Sequence, residues 1–545
     1  MASPVDTRVR EILATYTGDE VNVAHLLCDR HPTDATALTF VDADRSIRRV
    51  TYGELAESSK RVAAILAARG VGRGSRVATL MGKSPELLAV VLGIWRLGAV
   101  YAPLFTAFAE AAVSSRLSDA DVAVVIADAD QAHKVPTGAW KLVVNDTETP
   151  DGSLTGLMHT VSAGDVAEQT SVAVGGDGPL VHMFTSGTTG KPKGVVHPVR
   201  YAAGWQSYLE FGLGVDDESV FWCGADPGWA YGLYTAIVAP LAAGITTILT
   251  RGGFSPLATW SVLHDLQVTD YAAAPTVYRG LLTSKDAAPQ GLSLKHLSSA
   301  GEPLTPEVNE WAQRELGLQV HDHYGQTELG MPIGYPHHPL LERPVVAGAM
   351  GVSLPGWQMT VLRTDTDTLA DFGEVGQLAV DVTASEFMTF SGYADNPEAT
   401  AKRFRGDGRY FLTGDIATID ADGVIRFSSR DDDVILMAGY RIGPFDVESV
   451  LLTHPAVAEC AVIAAPDRVR GEVVEAFVVL ASGWTADEAT TESELQQWVK
   501  THYAAHAYPR QVHLVPTLPK TPSGKIQRAE LRKQRRAQTT EGSPA

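Results

Sequence analysis

The chain has 545 residues, of which 45% are hydrophobic and 20% are charged, as in a soluble globular protein of two or more domains. Acidic residues outnumber basic ones by 64 to 44, and the net charge of −20 argues against nucleic acid as the main partner. The cysteines Cys28, Cys223 and Cys460 lie far apart in the sequence without metal-ligand spacing, which argues against a disulfide framework and against a zinc site. Such cysteines suit a reducing compartment such as the cytoplasm. The first residues carry no apolar signal segment, and no stretch reaches the ~18 apolar residues of a membrane helix. We therefore expect a cytoplasmic protein without integral membrane association.

Helix start signals alternate with short apolar or β-branched runs from Thr51 onward. Each signal is a capping residue placed before the first helical turn, in most cases followed directly by proline. The signals at Thr51, Ser84, Ser255 and Thr305 predict helices that begin near residues 52, 85, 256 and 306. The runs between them predict strands at 76–81, 123–128, 246–250 and 271–275. Because strand and helix alternate, we expect an α/β fold with parallel sheets.

The pattern of predicted strands and helices changes after residue 420. Runs at 424–429, 458–464 and 473–481 predict strands, and helical stretches begin near Pro444 and Glu492. This pattern indicates a smaller α+β domain. We therefore expect a large N-terminal domain over residues 1–430, a small C-terminal domain over 431–536 and a flexible tail over 537–545.

The segment FTSGTTGKPKGVVH, residues 184–197, begins at the last residue of the apolar run LVHMF, residues 180–184. Small residues let backbone amides approach an anion, hydroxyls donate hydrogen bonds and lysines neutralise charge, so the segment predicts a polyphosphate loop suited to ATP. It is not a Walker A loop, because its glycine-to-lysine spacing is too short and no serine or threonine follows the lysine. The alternative is a surface loop of small residues. The candidate ligands are Thr185, Ser186, Gly187, Thr188, Thr189 and Lys191.

The full string resembles the phosphate-binding signature of the acyl-adenylate-forming superfamily, which contains acyl-CoA synthetases, peptide-synthetase adenylation domains and firefly luciferases. The resemblance extends from Thr51 to Arg532, with the later signatures in the expected order. It is greatest for the acetyl, medium-chain and benzoate-type acyl-CoA ligases. The resemblance implies a carboxylic acid, ATP and coenzyme A as substrates, Mg²⁺ as cofactor, an acyl-AMP intermediate and a mobile C-terminal domain.

Two central segments, SAGEP at 299–303 and YGQTE at 324–328, resemble the family's adenine-binding and carboxylate-activating signatures. The resemblance implies that Tyr324 packs on the adenine face, that Thr327 donates to the α-phosphate and that Glu328 holds Mg²⁺. Taken alone, Glu328 would be interpreted as a solvated surface acid. The other nucleotide residues implied are Gly301, Glu302, Pro303, Gly325 and Gln326.

The later signatures resemble the ribose, hinge and catalytic-lysine motifs of the family. Asp415 of TGD is expected to accept hydrogen bonds from both ribose hydroxyls, and Lys525 of PKTPSGKIQR to align the carboxylate with the α-phosphate. Ser429 stands where the family's hinge motif usually begins with glycine. The remaining assignments are Arg430 and Arg441 to the nucleotide, Asp432 to the hinge, and Gly439 and Tyr440 to the face that receives coenzyme A.

The acyl pocket is assigned by resemblance to Trp229, Ala230 and Gly325. Acetyl-CoA synthetases carry a tryptophan at the position of Gly325, which closes the pocket around a short acyl group. Without that side chain more volume is open, so we expect a short-to-medium-chain, branched or aryl acid. Tyr231 or Met331 are candidates to refill the space.

Two other functions remain open on sequence grounds. A freestanding adenylation protein would load an acyl carrier protein instead of coenzyme A, and a nucleotide-binding paralogue would bind without turnover. The presence of Lys525, Glu328 and Asp415 disfavours the second. The stretch from Pro519 to Lys525 also resembles substrates of lysine acetyltransferases, so reversible inactivation by acetylation of Lys525 is a hypothesis that mass spectrometry of the native protein tests.

Overall fold

The structure is a computed structural model. It describes residues 3–138, 140–146, 152–167, 169, 171–185, 192–364, 366–431, 433–437, 440–467, 471–504, 506–520 and 526–541. Among these residues no helix is long and apolar enough to cross a membrane.

The described residues form two compact units. The first comprises described residues within Met1–Ser186, Pro192–Gln358 and Asp381–Lys402, and the second those within Met359–Val380 and Arg403–Ala545. The second unit therefore includes chain that precedes residue 430. The predicted domain boundary at 430/431 marks where the mobile C-terminal domain is expected to begin, which is not the same as the boundary of a compact unit. It stays a prediction.

One sheet of the first unit ends on the strand that leads into the predicted phosphate loop. Its strands pair in parallel except for the last pair, which is antiparallel. Only seven residues separate Thr185 from Lys193, too few for the crossover that a parallel pair requires. In spatial order the strands are Lys141–Asn145, Val122–Asp128, Arg76–Leu80, Val100–Pro103, Pro179–Thr185 and Lys193–Pro198.

A second sheet of the first unit has a parallel core with antiparallel strands added at one edge. A smaller sheet pairs one parallel and one antiparallel strand with a central strand. The prediction of parallel sheets is therefore confirmed for the core, and the antiparallel strand Gly330–Gly334 follows a short turn. The orders are Val352–Ser353, Gly330–Gly334, Val320–Gln326, His296–Ala300, Asp270–Ala273 and Phe221–Cys223 in the second sheet, and Thr247–Thr250, Thr36–Val41 and Ile47–Thr51 in the smaller one.

The helices of the first unit begin where their capping signals predict. The side chains of Thr51, Ser84 and Ser255 accept hydrogen bonds from the first turn, whereas the helix after Thr305 begins without a side-chain cap. The α-helices are Pro4–Tyr16, Tyr52–Ala67, Pro85–Arg96, Glu110–Asp119, Leu154–Thr160, Ala163–Ala167, Tyr201–Ser207, Ala230–Leu233, Ala239–Ala243, Pro256–Asp265, Pro275–Leu282, Pro306–Leu316 and Pro397–Ala401. Shorter π-helical and 3₁₀ turns span His25–Asp29, Tyr208–Gly212, Tyr234–Val238, Ala132–Lys134 and Val382–Ala384.

The second unit contains two sheets and the C-terminal helices. One sheet has the order Met359–Leu362, Gly376–Asp381, Tyr410–Ile419 and Phe404–Arg405, with Ile425–Arg430 also paired to Tyr410–Ile419. The other has the order Tyr440–Ile442, Ile435–Met437, Gly471–Leu480 and Val457–Asp467, with Gln511–Leu514 also paired to Gly471–Leu480. The helices are Pro444–Leu451, Glu488–His502 and Arg528–Glu541.

Two boundaries in this unit differ from the predicted ones. The helix expected near Glu492 begins at Glu488, because the Asp487 side chain caps it by accepting from the Thr490 amide. The last helix continues to Glu541, so it overlaps the predicted tail at 537–545. Residues 542–545 lie outside the described residues.

Candidate active site

The described part of the phosphate segment is a pair of antiparallel strands. Pro179–Thr185 pairs with Lys193–Pro198, and Thr185 lies directly opposite Lys193. The two ends of the connecting segment are therefore held side by side. Ser186, Gly187, Thr188, Thr189 and Lys191 lie outside the described residues.

Thr327 and Glu328 lie in a tight turn between two paired strands. Val320–Gln326 pairs antiparallel with Gly330–Gly334, and Gln326 lies opposite Gly330. The turn is short, so the strand pairing fixes the direction of the backbone at both residues. Glu328 is only 6% exposed, which is rare for a glutamate unless a specific partner holds it.

Two side chains hold the Thr327 carbonyl oxygen. The Tyr201 hydroxyl donates to it at 2.9 Å, and His197 Nε2 lies 2.7 Å away. Burial lowers the pKa of His197 to about 3, so the imidazole is neutral at physiological pH. Because a carbonyl only accepts, Nε2 carries the proton, and Nδ1 accepts from the Tyr234 hydroxyl at 3.0 Å. The turn is thus fixed by a buried hydrogen-bond chain.

A third side chain holds the Glu328 carboxylate. The Tyr393 hydroxyl donates to Glu328 Oε1 at 2.6 Å, and the hydrogen bond is buried. Neither Tyr201 nor Tyr393 was predicted from the sequence, and His197 was noted only as the last residue of the phosphate segment. Their roles depend on contacts across 65 to 130 positions of chain, which sequence spacing does not reveal.

The segment Gly301 to Pro303 follows a buried parallel strand. Gly301 has a φ of 101°, a backbone conformation that glycine adopts readily, and a Cβ there would meet open space. The Glu302 carboxylate accepts hydrogen bonds from Thr276 Oγ1 and Arg279 Nη2, each at 2.6 Å. This carboxylate therefore already has protein donors. In the neighbouring segment, Gln326 Nε2 donates to the Tyr324 hydroxyl at 2.8 Å.

Asp322, two residues before Tyr324, is a buried carboxyl that the sequence did not single out. Its Oδ1 has no hydrogen-bond partner, and burial raises its pKa well above the ordinary value. It lines a cavity of about 280 Å³ together with Leu304, Asn309 and Val346. A buried carboxyl with an unpaired oxygen is costly unless a ligand satisfies it.

The structure corrects the inference that Gly325 leaves open volume. A Cβ at Gly325 would overlap the carbonyl oxygen of Gly330 and the sulfur of Met331. The hairpin pairing places these atoms there, so Met331 refills the space and glycine is required by close packing. Trp229, half-buried, packs against Phe105 and Phe108 with ring centroids 5.3 and 5.7 Å apart. Ala230 begins the helix Ala230–Leu233 and is buried.

In the second unit, two of the predicted nucleotide residues are neighbours. Asp415 lies opposite Arg430 on paired strands, and Arg430 Nη1 is 2.9 Å from Asp415 Oδ1. The Asp415 side chain is 2% exposed and that of Arg430 is 34% exposed. The arginine thus neutralises a buried carboxylate, and its side chain stays partly accessible.

The residues around the predicted hinge and catalytic lysine form an ion-pair network in the second unit. Arg528 Nη2 binds both oxygens of Glu448, at 2.6 and 2.8 Å, and Arg532 Nη1 donates to Asp433 Oδ1 at 2.6 Å. Asp432, Gly439 and Lys525 lie outside the described residues, as do the side chains of Tyr440 and Arg441. Among the described residues there is no group of three or more His, Cys, Asp or Glu side chains that could hold a metal ion.

The chain matches known proteins along almost its whole length. Residues 26–394 match the family described as AMP-binding enzyme, and residues 446–525 match the AMP-binding enzyme C-terminal domain. An acetyl-coenzyme A synthetase of Bacillus subtilis is 35% identical over 533 residues, covering 94% of this chain and 90% of that protein. The crystal structure of an acyl-CoA synthetase from Brucella canis is 38% identical with a TM-score of 0.75, covering 97% of this chain and 98% of that chain. A benzoate CoA ligase from Burkholderia xenovorans is 27% identical with a TM-score of 0.80, covering 94% of this chain and 100% of that chain.

The chain therefore belongs to the AMP-binding enzyme family. Within that family it is an AMP-forming acyl-CoA synthetase, a ligase that joins a carboxylic acid to coenzyme A at the expense of ATP through an acyl-adenylate. The resemblance drawn from the phosphate, YGQTE and later signatures is confirmed, as is the α/β fold with a smaller C-terminal part.

Proposed function

We propose that this synthetase activates short-to-medium-chain, branched or aryl acids, and that Met331 forms an adaptable wall of the acyl site. The observation that carries the proposal is the packing of the Met331 sulfur beside Gly325, where acetyl-CoA synthetases place a rigid tryptophan. An unbranched thioether with three rotatable bonds can repack around acyl groups of different shape. The likeness to both an acetyl-coenzyme A synthetase and a benzoate CoA ligase supports such a range.

The nucleotide is bound by groups that each suit one of its parts. Asp415 accepts from the ribose hydroxyls, and Arg430 neutralises charge beside it. The Asp322 carboxyl, on the same side of its strand as Tyr324, supplies the acceptor that the amino group of the base needs. A carboxyl whose pKa is raised by burial can also donate its proton to a ring nitrogen. Thr185 and the residues that follow it bind the phosphates.

Glu328 fits the magnesium ion of the proposed reaction. Its carboxylate oxygens are hard ligands, and Mg²⁺ usually binds through one or two carboxylates together with substrate phosphates and water. The bound ion supplies neutralisation of charge on the departing pyrophosphate.

In the first half-reaction, a carboxylate oxygen of the acid attacks the α-phosphorus and the bond to pyrophosphate breaks. The Thr327 hydroxyl donates to the α-phosphate, and the hydrogen bonds to its carbonyl keep the turn in place. The Lys525 ammonium stabilises the negative charge that builds on the phosphate in the transition state.

In the second half-reaction, the thiol sulfur of coenzyme A attacks the acyl carbon and AMP leaves. Following the family pattern, the small domain turns about Asp432, which withdraws Lys525 and presents the face that contains Gly439, Tyr440 and Arg441. The backbone dihedral angles of the hinge residues change during the rotation, which lets the same chain carry out both half-reactions.

The test is CoA-dependent AMP formation with acetate, butyrate, isobutyrate, hexanoate, octanoate and benzoate, with Lys525→Ala as control. We expect a higher kcat/KM for longer, branched or aryl acids than for acetate, and no comparable activity in the variant. Turnover of acetate alone would contradict the proposed range. Turnover only with a carrier-protein thiol would favour a freestanding adenylation protein instead.

A further inference from the structure

Tyr393 joins two charged groups of the candidate active site. Its hydroxyl donates to Glu328 Oε1 at 2.6 Å, and the Lys193 ammonium lies 4.9 Å from the centroid of its ring. Lys193 is a lysine of the phosphate segment, directly opposite Thr185. A single buried phenol therefore contacts both the phosphate segment and the carboxylate assigned to the metal.

The backbone of Tyr393 is fixed where this contact requires it. Tyr393 forms an antiparallel bridge with Val195, and the Ala394 amide donates to the Gly194 carbonyl at 2.8 Å. The Tyr393 amide donates to Thr400 Oγ1 at 2.9 Å. Tyr393 is 5% exposed. Main-chain pairing and burial together leave the ring little freedom, so the hydroxyl is a rigid donor.

We infer that Tyr393 is a positioning residue that holds the Glu328 carboxylate in the orientation needed to bind the magnesium ion of the nucleotide. The inference rests on the proposed role of Glu328 as the metal ligand. A hydrogen bond of 2.6 Å from a hydroxyl to a carboxylate is in the range of strong, charge-assisted bonds. A carboxylate offers about four lone-pair sites on its two oxygens, so one group can accept from a hydroxyl and also bind an ion.

A purely structural explanation makes a different prediction. If the hydrogen bond only stabilised the fold, its loss would lower the unfolding temperature without a specific effect on the metal. If it orients the ligand, its loss lowers metal affinity, because partners of metal ligands typically account for about 10–100-fold in affinity. Since the substrate phosphates also hold the ion, we expect the low end of that range.

The experiment uses Tyr393→Phe, which removes the hydroxyl and keeps the ring. Binding of Mn²⁺ to the full-length enzyme saturated with ATP is measured by electron paramagnetic resonance, and binding of ATP in EDTA by calorimetry. We expect Mn²⁺ affinity to fall about tenfold while metal-free ATP affinity is unchanged. Tyr16→Phe is the matched control, because Tyr16 is also buried and its hydroxyl also bonds a side-chain oxygen, Gln206 Oε1, at 2.6 Å.

Glu328→Gln tests the assignment of Glu328 as the metal ligand separately from the positioning role of Tyr393. If this variant binds Mn²⁺ as tightly as the wild type, Glu328 is not the ligand and the metal assignment itself fails. If Glu328→Gln weakens Mn²⁺ binding and Tyr393→Phe does not, only the role of Tyr393 is overturned. Replacement of Tyr393 by para-aminophenylalanine keeps an N–H donor at the same reach and gives a second variant if the phenylalanine variant does not fold; we expect it to bind Mn²⁺ more tightly than replacement by para-methylphenylalanine, which has no donor. Equal Mn²⁺ affinity in these two variants would overturn the role of Tyr393.

Discussion

The contact between Gly325 and Met331 decides how much room lies beside the YGQTE segment. The sequence predicts open volume there, because glycine has no side chain. The pairing of Gln326 with Gly330 instead returns the chain over Gly325 and places the Met331 sulfur against it. The register of a hairpin is set by backbone pairing, so the composition of the segment alone did not reveal which side chain refills the space.

Met331→Ala is the change that tests this wall. Removing the thioether opens space beside Gly325, so the preference should move towards longer acids. Each extra methylene buried contributes about 0.8 kcal/mol, which is roughly a fourfold gain in kcat/KM. The measurement is the ratio of kcat/KM for octanoate to that for butyrate.

The control for this change is Met359→Ala, which truncates a buried methionine of the second unit. It should lower stability without altering the ratio between acids. A ratio that stays at the wild-type value in Met331→Ala would show that Met331 does not border the acyl group.

Among the features of helices and strands, the sequence predicts helix starts best, because the capping residues that set them are local. The helices after Ser84 and Ser255 begin at the predicted proline, because capping depends on residues within one turn. The sequence did not predict that the strand Gly376–Asp381 belongs to the sheet of Tyr410–Ile419, which begins 29 positions after Asp381. Likewise, the Tyr393 contact to Glu328 joins segments 65 positions apart. Long-range contacts of this kind leave no periodic pattern in one sequence.

The helix Pro444–Leu451 carries a titratable group that links its stability to pH. Asp446 lies in the first turn and accepts from Ser428 Oγ at 2.8 Å. Burial raises the pKa of Asp446 to about 6 from the ordinary value of 3.8. The folded state therefore binds this proton more tightly than the unfolded state, so the contribution of Asp446 to the unfolding free energy falls as pH rises from 4 to 6.

Asp446→Asn should remove this pH dependence. The gain in stability of the variant over the wild type should be small near pH 4.5 and largest near pH 7.5, where it should reach on the order of 2–3 kcal/mol, since each tenfold change in proton affinity is worth ~1.4 kcal/mol. Chemical denaturation at the two pH values measures it, with the exposed Asp217→Asn as control. A stability difference that is the same at both pH values would show that Asp446 does not cause this pH dependence.

At the scale of the whole molecule, the second unit holds both ends of the segment that carries Lys525. Before it, Lys520 Nζ binds Glu459 at 2.8 Å. After it, the Gln527 amide donates to the Pro519 carbonyl at 2.9 Å and Arg528 binds the buried Glu448. The Arg528–Glu448 pair is the stronger anchor, because removing one partner of a buried ion pair typically costs about 3–5 kcal/mol, whereas the Lys520–Glu459 pair is exposed. The described residues on both sides of Lys525 are thus held by residues that follow Asp432, so the proposed turn about Asp432 should carry them together.

Separate measurement of the two half-reactions in Lys525→Ala tests whether this lysine serves acyl-AMP formation. Formation of acyl-AMP is followed by exchange of pyrophosphate into ATP, and thioester formation is followed from supplied acyl-AMP and coenzyme A. We expect the variant to lose acyl-AMP formation by roughly 10²–10³-fold, as for removal of one transition-state donor, and to keep thioester formation near the wild-type rate. Equal losses in both steps, or unimpaired acyl-AMP formation, would contradict a two-step enzyme whose lysine serves the first step.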